Sequence, residues 1–114
     1  MNREFDQLIL FQVKPDKTEE FEAYFAGMRA EMAAQPGCAG VRCFKRFYTF
    51  DGVKTGAPPR ELTKIVKCVK YYALWTFSGA EACGAAAGWL IGTQLRPLSK
   101  LLIMPFDLSS GYAL

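Results

Sequence analysis

The stretch Gln-Leu-Ile-Leu-Phe-Gln-Val at residues 7–13 decides the fold, because it is apolar on both sides of a strand. Side chains alternate between the two faces of a strand, so one face receives Leu8 and Leu10 and the other receives the odd-numbered apolar residues. The stretch from Ile65 to Phe77 repeats this two-sided pattern. The chain has room for two helices, which cover one face of a small antiparallel sheet. We therefore expect a second copy of the same sheet to cover the other face.

The length and composition indicate a single domain that covers residues 1–114. Hydrophobic residues make up 51% of the chain, which is enough for a core and too many for a disordered protein. No apolar run approaches the length of a membrane span, and residues 1–6 lack the continuous apolar segment of a signal peptide. We therefore expect a cytoplasmic protein with no membrane partner.

Charge and reactive residues exclude several common kinds of site. The net charge of +3 is mild and does not argue for nucleic-acid binding. The four cysteines form no Cys-x-x-Cys pair, so we expect free, mostly buried thiols and neither a disulfide framework nor a metal site. Histidine is absent, which removes the commonest general base and the usual serine and cysteine triads. Chemistry must then rely on tyrosine, tryptophan, carboxylates, lysine, arginine or a bound cofactor.

The first half of the chain has the pattern of a strand, a helix and a second strand. A strand over residues 7–14 ends at Pro15, and Asp16 and Glu19 have the spacing of a capping box that opens a helix. The turn Gln-Pro-Gly at 35–37 ends this helix, and an aromatic-rich strand follows over residues 39–50. Five large residues recur at helical spacing between these limits and form one apolar stripe: Phe21, Tyr24, Phe25, Met28 and Met32.

The second half continues with a strand, a helix and a strand. We expect a long strand over residues 62–77, and a second capping box from Ser78 to Glu81 that opens a helix of small residues. The pair at 96–97, Arg-Pro, should break this helix, and residues 101–106 should form the last strand. The tail from residue 109 would be disordered or wrap a partner. The order βαββαβ predicts a ferredoxin-like α+β fold, an antiparallel sheet with two helices on one face.

Three segments of the chain resemble a known family. They are Phe21 to Phe25, the turn Gln-Pro-Gly-Cys-Ala-Gly-Val at residues 35–41, and Leu-Trp-Thr-Phe-Ser-Gly-Ala-Glu-Ala at residues 74–82. In this order and spacing, the chain resembles the antibiotic biosynthesis monooxygenase-like domains, which are dimeric α/β-barrel proteins. The resemblance implies a homodimer whose two sheets form a barrel with the helices outside, and a pocket between each sheet and its own helices. The family includes cofactor-free oxygenases that act on electron-rich phenols and quinols, haem-degrading enzymes, and proteins with no known activity.

Trp75 matches the strand-end tryptophan that lines the pocket in active members of the family, although an ordinary core aromatic residue would occupy the same position. The haem-degrading members pair this tryptophan with an iron-ligating histidine on the following helix. Here that helix carries alanine at positions 85–87, and the chain has no histidine. We therefore expect neither haem degradation by that route nor any cofactor or bound metal.

The remaining site predictions follow from what a cofactor-free reaction on a small aromatic or hydrophobic ligand requires. Such a reaction needs an apolar pocket that admits oxygen and polar groups that hold a phenolate, because the substrate anion itself gives an electron to oxygen. Trp75 and Tyr71 share one strand face and are the predicted catalytic residues. The predicted substrate-binding residues come from both helices and two strands: Gln12, Phe25, Met28, Arg46 and Trp89. Gln12 is also explained as a strand-end amide, and Arg46 as a solvated strand residue.

Two other functions remain open. A non-catalytic homodimer that binds a small hydrophobic ligand fits the same sequence, because a fold alone does not fix a function. An RNA-recognition motif shares the βαββαβ order, and part of its third-strand signature fits residues 70–77. Tyr71 and Leu74 stand where that signature needs a glycine and a stacking aromatic ring, so RNA binding ranks below the barrel dimer.

Overall fold

The computed structural model describes residues 3–62 and 67–114. Strand β1 is Phe5–Val13 and, after a 3-10 turn at Pro15–Lys17, helix α1 is Thr18–Ala33. Strands β2 (Cys38–Lys45), β3 (Tyr48–Thr49), β4 (Arg60–Glu61) and β5 (Val69–Phe77) follow, and then helix α2 (Ala80–Leu98) and strand β6 (Asp107–Tyr112). In this part of the chain, neither helix combines the length and hydropathy needed to cross a lipid bilayer.

Four strands form one antiparallel sheet in the order β2-β5-β1-β6, while the short β3 and β4 pair separately as a hairpin. The central strands β1 and β5 pair along their whole length, from Phe5 opposite Phe77 to Val13 opposite Val69. Buried residues of both helices share one core with the odd-numbered residues of β1 and β5, so both helices cover the same face. The predicted ferredoxin-like α+β fold is therefore confirmed.

The apolar stripe predicted on α1 faces this core. Four of its residues, Phe21, Phe25, Met28 and Met32, are buried against the sheet. Tyr24 is only partly buried and reaches α2, where its hydroxyl donates a hydrogen bond to Oε1 of Gln94. The small residues of α2 let that helix lie close to the sheet, since Cys83 and Ala86 are both buried in the same core.

The opposite face of the sheet also carries large apolar side chains, as the strand pattern predicts. Leu8 lies opposite Leu74, and Leu10 and Phe44 both lie opposite Tyr72. The rings of Phe44 and Tyr72 stack with their centroids 5.4 Å apart, although 63% of Phe44 is exposed. We call these five residues the outer apolar face. In the described chain this face has no helix over it.

The last strand differs from the prediction. It is formed by Asp107–Tyr112, which pairs with β1, and not by residues 101–106. Leu101, Leu102 and Phe106 are instead buried in the core from an irregular segment. An apolar run predicts a strand because burial favours the same residue types, whereas an edge strand such as β6 uses its backbone groups more than its side chains. The tail that was expected to be disordered or to wrap a partner is therefore part of the sheet.

Both predicted capping boxes are wrong. The N-cap of α1 is Lys17 and the N-cap of α2 is Gly79, and neither helix start has a side-chain capping hydrogen bond. Before α1, the 3-10 turn moves Asp16 out of the first helical turn, so its spacing to Glu19 no longer brackets that turn. Glu81 lies in the first turn of α2 and can act there only through the helix dipole.

Three predicted boundaries also move. The strand predicted over residues 39–50 ends at Lys45, because the chain then turns into the separate β3–β4 hairpin. The strand predicted over residues 62–77 is β5 from Val69 onward, and residues 63–66, including Ile65, lie outside the described chain. The second helix continues through Pro97 to Leu98, since a proline in the last turn removes only one backbone hydrogen bond.

Candidate functional site

A cavity of about 290 Å³ lies between α1 and the neighbouring parts of β2 and β5. This volume is at the small end of the range of about 300–1,000 Å³ that is typical of ligand sites. We call it the Tyr71 cavity, after the buried tyrosine in its wall. Its lining combines aromatic rings with charged and polar groups: Phe21, Glu22, Phe25, Ala26, Arg29, Cys43, Phe44, Lys45 and Tyr71.

A tyrosine, a carboxylate and an ammonium group meet in this cavity. The Tyr71 hydroxyl donates a hydrogen bond of 2.5 Å to Oε2 of Glu22. Nζ of Lys45 lies 3.6 Å from the same carboxylate oxygen and 5.9 Å from the centroid of the Tyr71 ring. The strand register explains the meeting, because Lys45 on β2 lies directly opposite Tyr71 on β5. Glu22 then reaches both side chains from α1.

Burial decides which groups in the cavity are ionised. Burial raises the pKa of Tyr71 above its ordinary value, and the hydrogen bond to Glu22 raises it further, so this phenol is a neutral donor at physiological pH. Burial also raises the pKa of the Cys43 thiol to about 11, although the Arg29 guanidinium opposes the shift. Cys43 is therefore no thiolate nucleophile at neutral pH. Among the described residues of the lining, Glu22 is the one carboxylate, and it accepts the hydrogen bond of the Tyr71 hydroxyl.

Trp75, the first predicted catalytic residue, lies deeper in the core. Its side chain is fully buried, and its Nε1 donates a hydrogen bond of 3.2 Å to the backbone oxygen of Met32. Phe77 and Trp89 pack against the indole, with ring centroids 4.8 and 6.3 Å away. Four residues along a strand span about 13 Å, so Trp75 and Tyr71 share a face of β5 without sharing the cavity. The indole ties the last turn of α1 to the sheet.

The predicted substrate-binding residues on the helices lie in different places. Phe25 lines the Tyr71 cavity, and its ring stacks with that of Phe21 at 5.9 Å between centroids. Met28 is buried in the core one turn further along α1. Trp89 on α2 is partly buried beside Trp75. Of the predicted site residues, Phe25 and Tyr71 line the cavity together, whereas Trp75 and Trp89 contact each other elsewhere in the core.

The two predicted polar residues, Gln12 and Arg46, lie outside the cavity. Gln12 follows Leu8 and Leu10 on the face of β1 away from the helices, and its Nε2 lies 2.9 Å from Sδ of Met104. Arg46 is exposed just after β2 and lines a second groove at the end of the sheet. Their roles in substrate binding stay predictions.

Sequence reasoning did not find Glu22 and Lys45. Glu22 sits beside the apolar stripe of α1, and Lys45 belongs to a run of basic residues, so both resemble solvated surface residues. Their meeting depends on which residue of β2 pairs with Tyr71, and a single sequence does not fix that register. The only available signal is that Lys45 ends an apolar strand.

Gln7 is a further polar residue in the interior. It is buried under α2, opposite Trp75 in the strand register, and its Oε1 lies 3.4 Å from Sγ of Cys83. Its Nε2 has no hydrogen-bond partner among the described residues. An unpartnered buried donor is costly, so a polar ligand atom or a water beside Trp75 would gain a hydrogen bond here. Gln7 and Gln12 both interrupt the apolar strand β1, but Gln7 lies on the face that packs against the helices and Gln12 on the face away from them.

Comparison with known proteins gives the family context. Residues 6–48 match the family described as antibiotic biosynthesis monooxygenase. None of the curated proteins matches the chain. Among solved structures, NE2512, a protein of unknown function from Nitrosomonas europaea, is 12% identical, with a TM-score of 0.64 over 98% of this chain and 90% of that one. Rv0793 from Mycobacterium tuberculosis is 15% identical, with a TM-score of 0.64 over 97% of this chain and 95% of that one.

A third structure is a mutant of SnoaB, a cofactor-independent oxygenase from Streptomyces nogalater. It is 21% identical to this chain, with a TM-score of 0.62 over 97% of this chain and 93% of that one. Likeness at these identities shows a shared fold and says nothing of shared activity. The sequence match over residues 6–48 and the fold of nearly the whole chain confirm the predicted resemblance to the antibiotic biosynthesis monooxygenase-like domains.

Proposed function

We propose that this protein is a cofactor-independent oxygenase that acts, as a homodimer, on electron-rich phenols or quinols. The observation that carries the proposal is the Tyr71 cavity, where a neutral phenol, a carboxylate and an ammonium group border an aromatic-lined space. The family match supports the same chemistry, because residues 6–48 supply α1 and β2, the two elements that form most of the cavity.

The residues of the cavity suit a reaction in which the substrate supplies the electrons. A phenol bound beside the Phe25 ring would pass its proton to Glu22, and the Lys45 ammonium would stabilise the phenolate. The phenolate then gives one electron to molecular oxygen, and the two radicals combine to form a bond between carbon and oxygen. The peroxide formed in this way takes back the proton from Glu22. The hydroperoxide then loses water, using the hydrogen of the oxygenated ring carbon, and leaves a quinone, so that phenol and O₂ balance quinone and water. One oxygen atom enters the ring, the other leaves as water, and no external reductant is required.

The other predicted residues take supporting roles in this proposal. Tyr71 orients the Glu22 carboxylate through its hydrogen bond and stays protonated because it is buried. Trp75 is a positioning residue, since its indole holds the last turn of α1 in place. Met28 and Trp89 pack in and around the core behind these groups.

The homodimer is part of the proposal because the outer apolar face needs a cover. Leu8 and Leu74 at its centre are 40% and 39% exposed, and the edge residue Phe44 is 63% exposed. Contiguous apolar patches of this kind on small proteins mark association sites. A two-fold axis through the face would place it against the same face of the second copy, so that each contact between two different residues occurs twice.

Oxygen uptake tests the enzymatic part of the proposal. Uptake with a panel of quinols and polyphenols should exceed the rate without protein. Glu22→Gln should lower that excess by about a hundredfold, the usual effect of losing a general base. Glu19→Gln is the matched control, because Glu19 is an exposed carboxylate on the same helix and does not line the cavity. Uptake equal to the protein-free rate with every compound would refute the oxygenase.

A non-catalytic binding protein for a small hydrophobic ligand is the second candidate. One observation favours it: the Glu22 carboxylate already has two partners, Tyr71 and Lys45, and so is less available as a base. Calorimetric binding of a panel compound without oxygen uptake would support this candidate. Tight binding of a short single-stranded RNA at physiological salt would instead support the RNA-recognition function.

A further inference from the structure

A second concave surface adjoins the Tyr71 cavity at the end of the sheet. It has a volume of about 530 Å³ and lies where β2 ends, β5 begins and the chain enters α1. We call it the basic groove, because its described lining contains four cations and no acidic residue. The lining residues are Pro15, Thr18, Lys45, Arg46, Phe47, Leu62, Lys67, Cys68, Val69 and Lys70.

Lys45 joins the two spaces. Its side chain lines both the basic groove and the Tyr71 cavity. Its Nζ lies 5.3 Å from the centroid of the Phe47 ring in the groove and 5.9 Å from that of Tyr71 in the cavity. A ligand that fills the cavity therefore has the groove as its nearest extension, with a fixed positive charge at the junction.

The backbone joins two of the basic residues of the groove. The N–H of Arg46 donates a hydrogen bond of 2.8 Å to the backbone oxygen of Lys70, which places these two basic residues on neighbouring strand ends. Glu22 contacts Lys45 from the cavity side and is not part of the groove lining. Like charges on a concave surface focus a positive potential, and that potential attracts anions.

The apolar lining distinguishes this groove from an ordinary solvated rim. Phe47, Leu62 and Val69 contribute hydrophobic surface between the charged side chains. A lining that is both apolar and cationic fits an organic anion better than an inorganic ion, because the carbon skeleton of the ligand is buried while its charge is paired.

We propose that the basic groove binds an anionic substituent of the substrate whose ring occupies the Tyr71 cavity, so that the substrate class is phenols that carry a carboxylate. This inference rests on the proposed function and narrows it. It also gives the predicted substrate-binding residue Arg46 a partner, the carboxylate, at a site outside the cavity where the ring reacts.

Binding of two matched compounds tests the proposal. 6-Hydroxy-2-naphthoic acid and 2-naphthol share a phenolic ring system, and only the acid carries a carboxylate on the far ring. Calorimetry at low salt should show the acid binding more tightly to the wild-type protein. In the double variant Arg46→Gln/Lys70→Gln that preference should fall about fivefold, the usual effect of removing two exposed ion pairs. Lys100→Gln, an exposed cation in the turn after α2, should leave the preference unchanged.

The outcomes of this experiment distinguish failure of the carboxylate site from failure of the proposed oxygenase activity. Equal binding of the two compounds, no measurable binding of either, or a preference that survives in the double variant would overturn the carboxylate site. A preference that disappears in the double variant supports it even if the panel of quinols shows no oxygen uptake, and in that case only the oxygenase fails. Circular dichroism of each variant distinguishes lost contacts from lost folding.

Discussion

The substitution Leu74→Lys tests whether a second copy covers the outer apolar face. Leu74 lies at the middle of that face, opposite Leu8 on β1 and Arg42 on β2. It is 39% exposed, so a lysine there can keep its ammonium group in water while the chain is a single protomer. In a homodimer the same ammonium group would be enclosed in both copies, because each copy presents the identical face.

The expected loss of dimerisation free energy follows from the burial of this ammonium group in the interface. Burying a charge costs several kcal/mol, and the flexible lysine side chain relieves part of the cost, so about 2 kcal/mol per copy is a conservative value. The two copies together lose about 4 kcal/mol, which raises the dissociation constant of the dimer about a thousandfold. The free energy of unfolding of the isolated protomer should change by only about 0.5 kcal/mol, as for other exposed positions.

Sedimentation velocity over a dilution series measures this shift. The wild-type protein should sediment as a dimer at micromolar concentration, and Leu74→Lys as a monomer. Leu95→Lys is the matched control, because Leu95 is 40% exposed and lies on α2, away from the outer apolar face. A wild-type monomer at these concentrations, or a Leu74→Lys protein that remains dimeric, would show that this face is not an interface.

Three further predictions concern the interior. Trp75→Phe removes the indole hydrogen bond to Met32 and part of a buried ring, so urea unfolding should show a loss of about 2 kcal/mol; an unchanged midpoint would contradict the anchoring role. Gln7→Met removes the unpartnered amide and should raise the free energy of unfolding by about 1 kcal/mol, whereas a loss of stability would mean that the amide has a partner. The pKa of Cys43 is raised by burial from 9.0 to about 11, so the unfolded chain loses this proton first and the free energy of unfolding should fall between those pH values. Cys43→Ala should make that fall smaller in unfolding curves recorded from pH 8 to pH 11, and an identical pH dependence in the variant would exclude the thiol as its source.

The fold could be predicted from the sequence wherever side-chain periodicity carried the signal. The odd-numbered apolar residues of β1 and the helical stripe from Phe21 to Met32 both reflect burial, and burial is what hydrophobic spacing reports. The last strand could not be found in this way. Residues 107–112 have no continuous apolar pattern and belong to the sheet through backbone pairing with β1, which side-chain periodicity does not report.

The candidate site was predicted only in part, for a related reason. Tyr71 and Phe25 could be named because each is a large ring on a core-facing position. Glu22 and Lys45 have the sequence context of surface charges, and only the register of β2 against β5 brings them to the Tyr71 hydroxyl. Trp75 shows another limit of sequence reasoning. It is a large ring on the same strand face as Tyr71, but its position along the strand does not tell whether it lies in the core or lines a cavity. The sequence therefore indicated candidate residues by their chemical type, whereas the strand register determined which residues contact one another.

The turn that ends α1 determines how the Tyr71 cavity can widen. Gly37 has a φ of 81°, and a Cβ there would lie 2.5 Å from the Cβ of Ala82, while its backbone oxygen accepts a hydrogen bond of 2.9 Å from the N–H of Ser78. This tight contact pins the start of β2 to the start of α2. Further along β2, the Arg29 guanidinium on α1 donates a hydrogen bond of 3.0 Å to the backbone oxygen of Val41, and Lys45 forms a partly exposed ion pair with Glu22. The start of β2 is therefore fixed to α2 through its backbone, whereas side-chain contacts alone border the cavity between β2 and α1. A ligand larger than the cavity would have to displace those side chains, because the turn at Gly37 has no room to shift.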